Sequence, residues 1–231
     1  SRVPFIAAAI FTLLNLLYGY FILPESLAKK NRRKFEITRA NPVGTLKSLK
    51  RYPVISGLLV CIVLFNIAQH ATHSTWTFFT IEKFSWEEST VGYSLGFIGL
   101  LAAIVQGGLI RVIIPKIGNI RSVYFGMVFY ILGLILISLA EEGWMIFAFV
   151  IPLSLGGISG PALQGIMTNN IPDNEQGEFQ GGMTSLISLT AILGPLIMTN
   201  LFSFYTSDKA GIYFPGAPFV LGAILSVCGL I

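Results

Sequence analysis

The sequence predicts an all-α protein that crosses a bilayer seven times. Three observations lead there. Seven long apolar stretches fill almost the whole of the 231 residues. Hydrophobic residues make up 54% and charged residues 11%, where a soluble domain carries about 25% charged residues. Most stretches hold about 18 or more residues with no central charge, enough at about 1.5 Å rise per residue to cross about 30 Å of hydrocarbon. Lipid offers no water to free N–H and C=O groups, so such segments must be helices.

The predicted spans cover residues 3–23, 54–80, 91–114, 122–140, 144–166, 181–204 and 214–231. The first opens directly after Ser1-Arg2. An n-region of one basic residue with no small-residue cleavage site argues against a signal peptide. No initiator Met precedes it, and the last span stops at Ile231 without a polar tail. The chain is therefore expected to be a fragment of a larger membrane protein.

The segment after the first span holds nine of the fifteen Lys and Arg residues, between Lys29 and Arg51. Within it Asn41-Pro42 reads as a helix N-cap and first residue, followed by Leu46 and Leu49 beside Lys47, Lys50 and Arg51. Two readings account for this: a short amphipathic helix on the inner leaflet, or basic residues that only set topology.

The second span carries the densest set of polar side chains. Stepped at about 100° per residue, Asn66, Gln69, His70, His73 and Thr77 fall within an arc of roughly 100°. A polar stripe of that length is costly against lipid, so it faces protein or water. It is a cavity wall, a set of helix-to-helix hydrogen bonds, or a proton-handling site through His70 and His73, which titrate near neutral pH. A metal site finds little support, because no Cys, Asp or Glu accompanies the pair within the membrane.

The third span adds Gln106, followed by Gly107-Gly108. Within the fifth span lie Gly156-Gly157 and Gly160-Pro161. The sixth places Thr184, Ser188, Pro195 and Thr199 on one narrow face, next to Gly194. Small residues and prolines in spans permit close packing and bends. Cys61 and Cys228 sit inside apolar spans and read as small core residues rather than a disulfide framework.

Orientation follows from the connections. Arg111, Lys116 and Arg121 follow the third span and share a side with the nine basic residues of the long loop. The opposite side holds only Arg2, Lys83 and Lys209. Twelve against three places residue 1 outside and residue 231 in the cytoplasm. The acidic loop with Asp173, Glu175 and Glu178 also falls on the cytoplasmic side, and acids count little in this rule.

Several function classes lose support. The basic residues are not spread over a face, so no nucleic-acid surface is expected. No Walker, H-E-x-x-H or G-x-S-x-G sequence is present, and no cofactor is expected. The seventh span has no Lys for a retinal Schiff base. No carboxylate sits mid-span, where coupled pumps place one. Any coupling acid would belong to another part of the protein.

The segments Phe21-Ile22-Leu23-Pro24-Glu25-Ser26, Phe84-Ser85-Trp86, Gly160-Pro161-Ala162-Leu163-Gln164, Gln176-Gly177-Glu178-Phe179-Gln180-Gly181 and Thr190-Ala191-Ile192-Leu193-Gly194-Pro195-Leu196 resemble the major facilitator superfamily. More narrowly they resemble the tetracycline/proton antiporter branch of its drug-efflux members, in order along nearly the whole chain. The resemblance implies that the seven spans are the sixth to twelfth of a twelve-helix transporter. Residues 1–27 would close the N-terminal half, 28–52 form the cytoplasmic central loop, and 53–231 form the C-terminal six-helix bundle. It also implies that the turn from Gly108 and Arg111 to Gly118 and Arg121 is the second-half copy of the family's cytoplasmic gating loop. Positive-inside anchoring is the alternative account of its arginines, and neutral residues replace the acid often found in this loop.

One position departs from the branch. Its proton-coupling histidine lies four residues before a glutamine; here the glutamine is Gln106 and that position is Ala102. The implied partners are an amphipathic small-molecule substrate, protons, membrane lipid and the absent N-terminal half. The implied function is proton-coupled efflux of tetracycline-like or other amphipathic drugs by alternating access, in the bacterial inner membrane. The resemblance implies a transporter and not an enzyme. Metabolite transport on the same fold, or a non-transporting receptor or scaffold, are the competing classes.

Overall fold

The computed structural model describes residues 2–23, 53–207 and 210–230. The chain divides into two compact units, residues 1–35 and 36–231. The division falls in the long basic loop, and the amphipathic helix expected from Asn41 lies outside the described residues.

The first unit is described by one helix, α1 (Val3–Phe21), with Pro4 in its first turn. Proline is tolerated there because the first turn's N–H groups have no intrahelical partner. Thr12 donates its hydroxyl to the Ala8 carbonyl at 2.8 Å, so this mid-helix polar side chain is satisfied locally.

The described residues of the second unit include six apolar helices: α2 (Pro53–Phe84), α3 (Glu88–Ile117), α4 (Asn119–Leu139), α5 (Gly143–Asn169), α6 (Gln176–Tyr205) and α7 (Ala217–Leu230). Helices α2 to α6 are long and apolar enough to span a membrane; α1 and α7 are shorter apolar helices. Short connections make successive helices antiparallel neighbours.

Interior breaks follow local chemistry. Helix α3 widens into a π turn over Val105–Leu109, where Gly107-Gly108 frees the backbone, and α5 tightens into a 3-10 turn over Gly156–Ile158, just after Pro152. Two starts differ from hydropathy alone. Helix α6 begins at Gln176, five residues before the apolar run, with Glu178 in its first turn, where a carboxylate suits the helix dipole. Helix α7 begins at Ala217 because a turn closed by Ala217 N–H donating to the Phe214 carbonyl at 3.1 Å precedes it, and Phe214 N–H donates to the Tyr205 carbonyl at 3.0 Å.

Helix α4 is the hub. Its buried residues Val123, Gly126, Met127, Tyr130, Gly133, Leu134 and Ile137 recur at three and four, a continuous helical stripe. It packs on α5 and α7; α7 packs on α2, α2 on α6, and α3 leans on α5. Exchanging α2–α4 with α5–α7 maps this set of pairings onto itself. With antiparallel succession, that fits two inverted three-helix repeats. The middle helices of the two repeats, α3 and α6, are the least buried of the five spans.

Lipid tails are as apolar as Leu, so close packing rather than water exclusion holds such helices together. The α4–α5 seam shows this. A Cβ added at Gly133 would lie 2.6 Å from the backbone N and Cα of Leu153, and one added at Gly156 would lie 2.6 Å from Tyr130 Cβ. Tyr130 in turn meets Phe65 of α2 edge-on, ring centroids 5.0 Å apart.

The end of α2 is tied on three sides. Lys83 Nζ donates to the Ser138 carbonyl at the C-terminus of α4 (3.3 Å) and sits 5.6 Å and 5.8 Å from the ring centres of Phe79 and Phe84. Trp76 Nε1 donates to Ser94 of α3 at 3.0 Å. Tyr213, in the α6–α7 connection, donates its hydroxyl to Glu82 Oε1 at 3.0 Å. Partial desolvation, then the Glu82 carboxylate, raises the Tyr213 pKa, so this contact persists at alkaline pH where a free phenol starts to ionise.

The α3–α4 turn depends on Gly118, whose φ of 80° and ψ of 163° belong to glycine. Gly118→Ala should destabilise the full-length protein by about 1–3 kcal/mol, read as a lower melting temperature in detergent. An unchanged melting temperature would mean the turn relaxes freely.

Candidate functional site

Helix α2 carries the polar stripe. Asn66, Gln69 and His70 are half-buried, while His73 and Thr77 are exposed on the surface of the unit. The His70 and His73 rings, one turn apart, stand nearly perpendicular with centroids 6.2 Å apart. Ser74 Oγ lies 3.5 Å from His70 Nδ1. Asn66 Nδ2 donates to the Ile62 carbonyl at 2.9 Å, turning its amide back along the helix.

Helix α6 supplies the seat for His70. A Cβ added at Gly194 would lie 2.6 Å from His70 Cγ and 2.9 Å from His70 Cβ. Only a residue without a side chain lets the imidazole settle there. Pro195 follows directly and has no N–H to close the helix hydrogen bond, so α6 is weakest in its own ladder beside the histidine. Thr184 and Ser188 are exposed on an adjoining flank of α6. The structure thus brings the α2 stripe and the α6 hydroxyls onto neighbouring helices.

Gln106 stands apart. It is exposed on the π turn of α3, a helix that leans mainly on α5 and touches α2 chiefly through Trp76 and Ser94. Ala102 is half-buried one turn before it. Among the described residues no group of three His, Cys, Asp or Glu could hold a metal ion.

The expected gate residues lie at the basic end of the unit. Arg111 and Arg121 are exposed and flank the Gly118 turn. The close helix approach expected at Gly108 is not made within this unit: an added Cβ would meet nothing within 4 Å. Two segments that sequence reasoning valued only for resemblance meet here. The Gln164 and Gln180 amides face each other across α5 and α6 at 3.5 Å. Gln176 Nε2 donates to the carbonyls of Thr168 and Ile171 at 2.9 and 3.0 Å, closing the α5–α6 connection.

Antiparallel apolar helices, one of them carrying a polar stripe, define a multi-pass membrane protein. Comparison with known proteins gives the family. The sequence model of the Major Facilitator Superfamily matches residues 1–195, and the chain belongs to that superfamily. It is 32% identical over 209 residues to the class C tetracycline resistance protein of Escherichia coli, covering 90% of this chain and 52% of that protein. Against the class G tetracycline resistance protein of Vibrio anguillarum it is 33% identical, over 97% of this chain and 56% of the relative. Human hippocampus abundant transcript-like protein 1 is similar at 22% identity, over 95% and 47%. The chain spans about half the length of the curated relatives it matches.

Proposed function

We propose that the full-length protein is a secondary active transporter that exports an amphipathic, tetracycline-like solute in exchange for protons, by alternating access. The observation that carries this reading is the α2 stripe from Asn66 to Thr77, seated on α6 at Gly194, in a chain similar to tetracycline resistance proteins. In this reading α1 is the sixth helix of twelve, and α2 to α7 are the seventh to twelfth. The N-terminal half completes the cavity against the exposed faces of α3 and α6. Asn66, Gln69, His70, His73, Thr77, Gln106, Thr184 and Ser188 offer hydrogen bonds to the solute. Gly108, Arg111, Gly118 and Arg121 form the cytoplasmic gate, in the bacterial inner membrane.

The stripe can do two chemical jobs. Its amides and hydroxyls replace water around polar groups of the solute, while the apolar helices around them accept its rings. Its imidazoles supply the titratable groups that charge-coupled exchange requires. Ala102 in place of the branch histidine favours a second reading for the substrate, a different amphipathic compound on the same fold.

The test uses everted vesicles containing the full-length protein and an imposed inside-acid gradient. Uptake of tetracycline, or of a fluorescent amphipathic dye, should follow the gradient and vanish when it is collapsed. Replacing both His70 and His73 with Gln should remove the pH dependence while leaving binding in place. Unaltered pH-driven uptake in that variant would move coupling out of this stripe. Uptake by the unmodified protein that ignores the gradient would rule out antiport.

A further inference from the structure

Two grooves open at the basic end of the second unit, away from the α2 stripe. One, of about 530 Å³, is polar at its rim and lined by Gly118, Asn119, Arg121, Asn169 and Asn170 together with Ile117, Ile120 and Ile166. The other, of about 570 Å³, runs between the same-side ends of α2, α4, α5 and α7 and is lined almost wholly by apolar side chains, among them Val123, Met127, Leu163, Cys61 and Cys228. Ile120 and Ile166 line both. The two grooves therefore adjoin at these side chains and together form a trough, its polar part at the end of the helices and its apolar part along the spans. No acidic side chain lines either part, and Arg121 makes no ion pair among the described residues.

We propose that this trough binds one anionic phospholipid of the leaflet at the basic end. An apolar groove within a membrane span is filled from the bilayer, and an acyl chain matches its form and chemistry. The phosphate then lies at the rim, where Arg121 neutralises it and the amides of Asn169 and Asn170 are within the same opening. Lys116 and Arg111, on the neighbouring end of α3, add attraction over a Debye length. Charge decides the lipid class: a zwitterionic headgroup offers the Arg121 guanidinium far less. The assignment to the cytoplasmic leaflet rests on the positive-inside orientation, and nothing in it depends on the exported solute.

The test releases the full-length protein from vesicles of phosphatidylglycerol mixed with phosphatidylcholine and counts retained lipid by native mass spectrometry. One phosphatidylglycerol per protein should remain, and Arg121→Gln should weaken its retention about fivefold, the worth of one surface cation near an anionic leaflet. Cys228→Trp, which fills the apolar part, should weaken retention as well. A second measurement covers the case in which that variant fails to fold. Alkylation of Cys228 by a membrane-permeant maleimide should be slower in phosphatidylglycerol than in phosphatidylcholine, and Arg121→Gln should erase the difference. Equal retention of phosphatidylcholine, retention indifferent to Arg121→Gln, or no retained lipid with equal alkylation in both vesicles each overturns the proposal. Drug export by the unmodified protein, measured in parallel, tests the transport reading separately; Arg121 also belongs to the proposed gate, so lipid retention and Cys228 alkylation, not export by Arg121→Gln, decide the trough.

Discussion

Gly133→Leu should prevent the full-length protein from accumulating in a folded, monodisperse form. Gly133 is buried on α4, and even the first carbon of a side chain would stand 2.6 Å from the main chain of Leu153. A flexible side chain can step aside; a helix backbone cannot. Relief would require α5 to shift away from α4, which unseats Tyr130 from Gly156 one turn along the same seam. Ordinary overpacking costs about 1–3 kcal/mol, and this collision involves backbone on one side and a four-carbon side chain on the other. Val128→Leu, on the exposed face of α4, serves as the control. Size-exclusion profiles and melting temperatures in detergent decide the matter, and a Gly133→Leu protein that melts like the unmodified one would falsify the packing argument.

The second large effect is expected at Gly194. Gly194→Ala sets a methyl group against the His70 ring, so it should lower the melting temperature and abolish most transport. His70→Ala in the same protein removes the obstacle and should restore the melting temperature nearly to that of His70→Ala alone. The non-additivity should amount to about 0.5–3 kcal/mol, the range for residues in direct contact. The pair also separates two roles of the histidine. Restored stability without restored transport assigns the imidazole a chemical part; restoration of both assigns it a packing part. Additive losses would show that the two residues do not meet in the working protein.

Much of this architecture is legible in the sequence. Uncharged apolar runs locate helices α1 to α7, because a hydrocarbon slab imposes its thickness on whatever crosses it. The α2 stripe is legible for a similar reason: a regular helix converts residue number into direction. What fails is whatever depends on a second helix. The seat of His70 on Gly194 joins residues 124 positions apart, through a crossing that no single helix encodes. Glu82 and Tyr213 meet across 131 positions. Sequence places Gln106 on α3, but that α3 leans mainly on α5 depends on residues of both helices. The early start of α6 escaped hydropathy because Gln176 and Glu178 work as polar helix-opening residues, and hydropathy scores polarity as loop.

The wide turn in α3 has a consequence for how that helix is compared with any other. A π turn spends one residue more than an α turn on the same circuit, so everything beyond Leu109 is out of phase with everything before Val105 by one position. Arg111 points where residue 110 would point on an unbroken helix. The two ends of α3 therefore follow separate angular scales, and an alignment that counts residues straight through the turn assigns Arg111 and Lys116 to directions they do not take.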